Sequence, residues 1–490
     1  MKKLFLSFLI FLLALPVVWA NDINYDIKQE NSVTQIQTEL QALINNATGG
    51  DAIMVTGSKT NADVRLELNI PVEVAVIWQA TYQSDASFSA NALIYFTGDG
   101  VFEVADGTLT TGANNAILSD GDNATVKVSS GNLSSTTGET IKITGDSAIV
   151  YISGGTVSAT SENAVLVYGL YAKVIVSGGI VSNEADGNLP VIFINVPIND
   201  ELNVIICGTG KVEARKEGDA ILTYGDVEVK DNAQVSATTG FAIHSPYLAT
   251  TVTVGGTSKI TGAGVNTIRN GGLGSLVVIK DHAQVINTGT GTSIITADVE
   301  ITDHAQVINE NGERAIYARE VLITGGVVFA PTGNISNLIY SDYFEGVSGT
   351  GMLLAWNRSA GNINYEEFTT DDILKSPASA TAHWDRRGGE AGIYYANGEN
   401  TGFIPLDVTV TVGVVSVNEP IVLNLTVYPN PVSNILHIET GSNVAPEIKV
   451  FSIQGVLLLQ AKGNEIDISS LDRGIYFVEI DGVCRKVVKQ

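Results

Sequence analysis

Short alternating runs recur through the middle of this chain about every 24 residues, and no other feature restricts its fold as tightly. Examples are VFEVADGTL, VKVSSGNL, VYISGGTV, VIVSGGIV, VEVKDNAQV and VVIKDHAQV. The last apolar residues of successive runs are Leu109, Leu133, Val157, Val181, Val212, Val235, Ile260, Val285, Val307 and Val328, in steps of 24, 24, 24, 31, 23, 25, 25, 22 and 21. A second series runs between them at Ile117, Ile141, Val165, Ile192, Ile221, Ile243, Ile268, Ile294, Ile316 and Ile339, so each coil carries at least two short strands. No amphipathic helix intervenes, which excludes βαβ winding and leucine-rich or ankyrin solenoids, and a propeller blade would need a period of ~40 residues or more. The pattern predicts an all-β chain whose residues 85–348 form a right-handed parallel β-helix of about ten coils, 21–31 residues each, with interior Val and Ile in continuous ladders.

Between the two strands of each run lies a two-residue corner. It is Gly154-Gly155, Gly178-Gly179 or Gly325-Gly326 in some coils, and Asp231-Asn232, Asp281-His282 or Asp303-His304, with an inserted Ala, in others. Glycine takes positive φ freely, and Asn, Asp and His are the other residues enriched there. The interchange therefore predicts a left-handed bend. A competing expectation is a divalent-ion column: Asp281 and Asp303, one coil apart at ~4.8 Å, with Asp298 and Glu300 nearby, offer hard oxygen ligands of the kind calcium takes. No dense acidic run supports that column, and no other cofactor is expected.

The ends of the repeat need covers, because an open solenoid leaves unpaired strand edges. The segment SVTQIQTELQALINNA reads as an amphipathic helix, with Ser32 as N-cap and Val33, Ile36, Leu40, Leu43 and Ile44 on one face. Residues 21–84 are thus expected to hold an N-terminal cap and the first strands, with Trp78 packed on the first coil. After the repeat stops, residues 349–415 bring Trp356, Trp384, Asp385 and Arg386. Tryptophan faces beside polar groups suit sugar stacking, but two tryptophans also suit the core of a small β module closing the solenoid, and that second reading is favoured.

Composition narrows the setting. Fifty glycines, 44% hydrophobic and 16% charged residues fit a turn-rich β protein and not a disordered chain. The N-terminal MKKLFLSFLIFLLALPVVWA has two lysines, a short apolar run and a closing small residue, the pattern of a removable signal peptide at residues 1–20. Without Lys2 and Lys3 the balance is 25 basic to 52 acidic, a net of −27. Such a chain repels nucleic acid and anionic lipid. No later run is long enough to span a membrane. Cys207 and Cys484 fall in separate modules, so no disulfide framework is expected.

The last seventy residues contain LTVYPNPVSNILHI, IKVFSIQGVLLL and EIDISSLDRGIYFVEI, an antiparallel β pattern with prolines and glycines at its turns. Tyr428, Pro429, Asn430 and Pro431 ahead of a strand, then Gly455, Gly474, Tyr476, Lys486 and Lys489 in order, resemble the type A C-terminal sorting domain of the type IX secretion system of Bacteroidota over residues 419–490. That resemblance implies a β-sandwich, recognition by the type IX machinery and its sortase, and delivery to the outer-membrane surface or medium. The passenger is less sharply similar to pectate-lyase-like and carbohydrate-binding β-helices of the same phylum, through segments such as YISGGTVSA and GIYYANGENTGF. This implies polysaccharide contact and transfers no catalytic residue. The expected passenger is thus a polysaccharide binder or adhesin, with a β-helix lyase or glycoside hydrolase as the alternative. Lyase and hydrolase chemistry want clustered bases or paired carboxylates. Here Arg215, Arg269, Arg314 and Arg319 fall in different registers, and no protease, esterase, phosphate-loop or zinc motif is present.

Overall fold

A computed structural model describes residues 20–85, 92–196, 202–356, 363–364, 373–387, 390–405, 410–411, 426–439, 445–452, 456–480 and 483–490. Residues 1–19, most of the expected signal peptide at 1–20, and Gly455 lie outside these. The chain divides into two compact units, residues 1–363 with 367–410, and residues 364–366 with 411–490.

The first unit is a parallel β-solenoid whose coils each contribute three strands, to faces here called A, B and C. One coil runs Thr125–Val128 on face A, Asn132–Ser135 on face B and Ile141–Ile143 on face C. Each strand pairs in parallel with its equivalents one coil before and after. Both sequence series are columns of this lattice: Leu109 through Val328 stack in register on face B, and Ile117 through Ile339 on face C. Side chains in these columns are buried almost without exception, and each is worth about 1.5–3 kcal/mol relative to exposure.

The expected coil number is corrected from about ten to twelve, the count of strands on face C. The two further coils precede Leu109: on face C they carry Leu66 and Ile94, in line with Ile117, at a spacing of 28 and 23 residues, while on face B the ring of Tyr82 takes the aliphatic place. Trp78 pairs in register with Val104, and Tyr82 with Leu109. Trp78, Tyr82, Phe96 and Phe102 fill the wide N-terminal core, Trp78 meeting the Tyr82 ring edge-on at 5.5 Å.

The N-terminal cover is helix α1, Val33–Asn46. Ser32 accepts the Gln35 N–H at 3.1 Å, and Val33, Ile36, Leu40 and Ile44 are buried while Leu43 is only partly so. A strand ahead of it, Asp22–Ile27, pairs in parallel with Ala52–Lys59 as the first rung of face A.

At the other end, Met352–Trp356 adds a parallel rung to face B, and Ile373–Ser376 closes that face antiparallel to it. Three antiparallel strands follow, Thr381–Arg387, Glu390–Asn397 and Asn400–Pro405. Their role goes beyond closing the end. The outward column of face B runs Thr110, Ser134, Ser158, Ser182 in early coils and turns to Ile286, Ile308, Phe329 and Leu354 in the last. Those four side chains share one core with Ile393, Tyr395 and Ile404, so the module shields the flank of face B. The Tyr395 hydroxyl accepts the Gln306 side-chain N–H at 2.9 Å, and the Asn400 amide donates to the Gly326 carbonyl at 2.7 Å.

The two sheets of the second unit are antiparallel, and an isolated parallel bridge joins Val432 to Lys489. A three-stranded sheet of Thr426–Tyr428, Ile435–Glu439 and Glu465–Asp467 and a four-stranded sheet of Leu457–Lys462, Glu447–Phe451, Gly474–Ile480 and Val483–Lys489 enclose a core that includes Leu436, Ile448, Val450, Val478 and Val487.

Candidate functional site

At the corner between faces A and B the left-handed bend is present in both versions. Gly155, Gly179 and Gly326 have φ of 70°, 68° and 69°, while Asp231, Asp281 and Asp303 have 59°, 58° and 55°. The carboxylates there are engaged by backbone. Asp231 accepts the Gly208 N–H at 2.9 Å, Asp281 that of Gly256 at 2.8 Å, and Asp303 that of Asp281 at 3.1 Å. Each aspartate thus ties its corner to the coil before it. His282 and His304 stack outside with ring centroids 4.8 Å apart. Asp298 sits on the outer side of face A in a bidentate pair with Arg319, at 2.6 and 2.8 Å, and Glu300 lies on the same strand, Asp298–Ile301. Among the described residues no group of three or more His, Cys, Asp or Glu side chains converges.

The proposed sugar-stacking residues divide. Trp356 is buried in the core of the terminal module, where its faces meet protein. Asp385 is half-buried on Thr381–Arg387, and the side chains of Trp384 and Arg386 lie outside what is described. Cys207 is buried on face A, and burial pushes its thiol up to about 11, so it is a packing residue.

Face C carries the feature that sequence reasoning missed. Following each inward residue is one outward residue, and these form a single column: Glu67, Tyr95, Leu118, Lys142, Leu166, Phe193, Leu222, His244, Arg269, Ile295, Tyr317 and Tyr340. Rings in the flanking turns extend it, with Phe193 at 6.4 Å from Tyr224, Tyr224 at 5.8 Å from Tyr247, and Phe241 at 4.7 Å from His244. Tyr317 and Tyr340 stack at 4.7 Å with planes 6° apart, both nearly half exposed. Every cation–π pair among the described residues lies along this face: Arg65 over Tyr95, Lys142 over Tyr168, Arg269 over Phe241, and Arg314 over both Tyr317 and Tyr340. Burial first, then a hydrogen bond to Asp120, pushes the Tyr95 hydroxyl up to about 12, so it stays a donor at neutral pH. The signal was in the sequence, one residue after each member of the second series.

In the second unit the tail residues gather at one edge. The Asn430 amide donates to the Lys486 carbonyl at 2.9 Å and accepts the Val488 N–H at 2.9 Å, pinning the YPNP turn to the last strand. Lys489 is buried and its ammonium donates to the Ser433 carbonyl, while the Lys486 side chain is exposed. The Tyr428 hydroxyl donates to Glu439 at 2.8 Å, and that of Tyr476 to the Asp472 carbonyl at 2.8 Å, clasping the turn before Gly474.

A parallel β-solenoid fits a surface passenger, and the antiparallel tail forms a unit of its own. Residues 426–490 match the family model described as the secretion system C-terminal sorting domain. The match points to export by type IX secretion and to the machinery of that system as a partner. No curated protein and no solved structure matches the chain. Among the described residues no helix is long and apolar enough to cross a membrane.

Proposed function

We propose that the solenoid is a polysaccharide-binding rod or adhesin displayed at the cell surface, and that face C is its binding surface. The observation that carries this reading is the unbroken outward column from Tyr95 to Tyr340, with its rings and cations. Aromatic faces meet the C–H faces of sugar rings, and guanidinium and ammonium groups bond their oxygens. A rod with one equivalent position per coil lets weak contacts add along a linear polymer. Tyr317 and Tyr340 stack on each other and leave their edges, hydroxyls and outer sides half exposed to a ligand, where Trp356 is enclosed. Recognition by the sortase and removal of residues 1–20 belong to the same export reading.

The test is retention of the full-length protein on a panel of immobilised glycans, with assay of the eluate for reducing and unsaturated ends. Retention without product is expected. Product would make the solenoid a lyase or hydrolase, and absence of retention on every glycan would remove the binding reading.

A further inference from the structure

We infer that a groove at the turns from face B to face C is a binding site for a zwitterion, a free α-amino acid, with Arg314 and Asn266 taking its carboxylate and Glu313 and Asn311 its ammonium. The groove lies beside face C, and the inference goes beyond the polysaccharide reading of that face without resting on it.

The groove crosses three successive coils, has a volume of about 580 Å³, and is lined in part by Asn266, Thr290, Thr292, Asn311, Glu313 and Arg314. Sites for small molecules run from about 300 to 1,000 Å³. Backbone partners fix what its two amides offer. Asn266 Oδ1 accepts the Thr292 N–H at 3.0 Å, which leaves the NH2 group as a donor. Asn266 is only 6% exposed, and that NH2 group has no acceptor among the described residues. Asn311 has the opposite polarity: its Nδ2 donates to the Thr288 carbonyl at 2.7 Å, which leaves Oδ1 as a free acceptor. Asn309 holds the turn that carries the charged pair, donating to the Arg314 carbonyl at 2.6 Å and accepting the Gly312 N–H at 2.7 Å.

Glu313 and Arg314 are neighbours in sequence and line one groove, yet they form no ion pair with each other or with any other described residue. Two opposite charges thus face the same space unanswered. The guanidinium is steadied from the side of face C by the rings of Tyr317 and Tyr340, at 5.8 and 5.2 Å, and its Nε is buried without an acceptor. Its terminal nitrogens remain to meet a ligand. The two signs decide the ligand class. A simple anion is opposed by Glu313 and a simple cation by Arg314, each at contact range. A neutral molecule displaces water from both charges and returns nothing in exchange. An α-amino acid answers both: its carboxylate takes the arginine fork and the Asn266 NH2 group, and its ammonium, with three donors, takes Glu313 and Asn311 Oδ1. The Thr290 and Thr292 hydroxyls line what is left, where the ligand's own side chain lies.

The test is calorimetric titration of the full-length protein with L-serine and L-glutamine, and with N-acetyl-L-serine and L-serinamide, which lack the ammonium and the carboxylate in turn. Each truncated form is expected to bind at least about tenfold more weakly than L-serine, since each loses one charge-assisted contact. Glu313→Gln, at an exposed position, should bring L-serine down to the level of N-acetyl-L-serine. Arg314→Gln should bring it down to that of L-serinamide, and Arg314→Lys, which keeps a cation beside the rings and removes the fork, should also weaken L-serine. Ser134→Ala on face B should change nothing. Absence of binding by either amino acid up to about 10 mM, where a millimolar affinity would register, overturns the inference. So does equal affinity for L-serine and both truncated forms, or an unaltered preference in Glu313→Gln. Binding of D-glucose or D-galactose, with no amino acid bound, assigns the groove to the glycan surface and overturns it as well. Glycan retention by face C is measured separately, so either reading can fail while the other stands.

Discussion

Asp303 holds two properties that glycine at the same corner cannot combine: a backbone φ of 55° and a side chain that accepts the Asp281 N–H and the Thr302 hydroxyl. The backbone hydrogen bond first, then that of Thr302, holds its carboxyl below the usual range. A carboxyl depressed in the folded state contributes stability above its unfolded pKa, and the contribution is lost as pH falls through the folded value. Asp303→Ala removes the acceptor and keeps the left-handed strain, so it should cost about 1–2 kcal/mol by denaturant unfolding at pH 7. Asp303→Gly relieves the strain and should cost less, and Asp303→Asn least. The wild type should lose its margin over Asp303→Asn in acid, below about pH 4. Equal stability of the Ala and Gly variants would show that φ is not the constraint. The bend itself was legible, because Gly-Gly exchanges with Asp-His at the same corner; the left-handed residue is the second of Gly-Gly and the first of Asp-His. The destination of the carboxylate was not, since it depends on which N–H the preceding coil presents.

At the scale of elements the sequence was most informative where one residue type repeats. The Leu, Val and Ile columns of faces B and C could be read by position, and so could α1, from its N-cap and its apolar stripe. Trp78 was read as packed on the first coil and is buried there; legibility failed at Tyr82, where a ring occupies a column position, and at the terminal module, whose task depends on the outward residues of face B. Ile286 and Ile308 stand where Ser134 and Ser158 stand earlier, and that switch marks the stretch the module covers. Face C was missed for a related reason: attention to the inward column passes over the residue beside it. The cap makes a direct prediction. Leu40 is fully buried, and Leu40→Asp places a charge in the seam between α1 and the first rungs. The helix should lift and bare the strand edge, an invitation to edge-to-edge pairing. Light scattering should then report concentration-dependent assemblies where the wild type has none. A monodisperse Leu40→Asp protein of unchanged melting temperature would mean that α1 does not guard the end.

For the whole molecule the decisive property is that folding and export rest on different cores. The tail's core is drawn from residues between Val432 and Val487, and its match to the sorting family covers residues 426–490. Damage to that core should therefore leave the solenoid's own packing untouched. Val450 is fully buried on Glu447–Phe451, between Leu457–Lys462 and Gly474–Ile480. Val450→Asp buries a carboxylate with no partner, a change on the order of several kcal/mol and enough to unfold a unit of this size. The solenoid's thermal transition should stay where it is, since its columns and covers are intact. In cells that carry the type IX machinery the variant should accumulate in the periplasm, as should a chain lacking residues 426–490. Solenoid at the cell surface in wild-type amounts would mean that the address lies elsewhere in the chain. A lowered solenoid transition would mean instead that the two cores are energetically coupled.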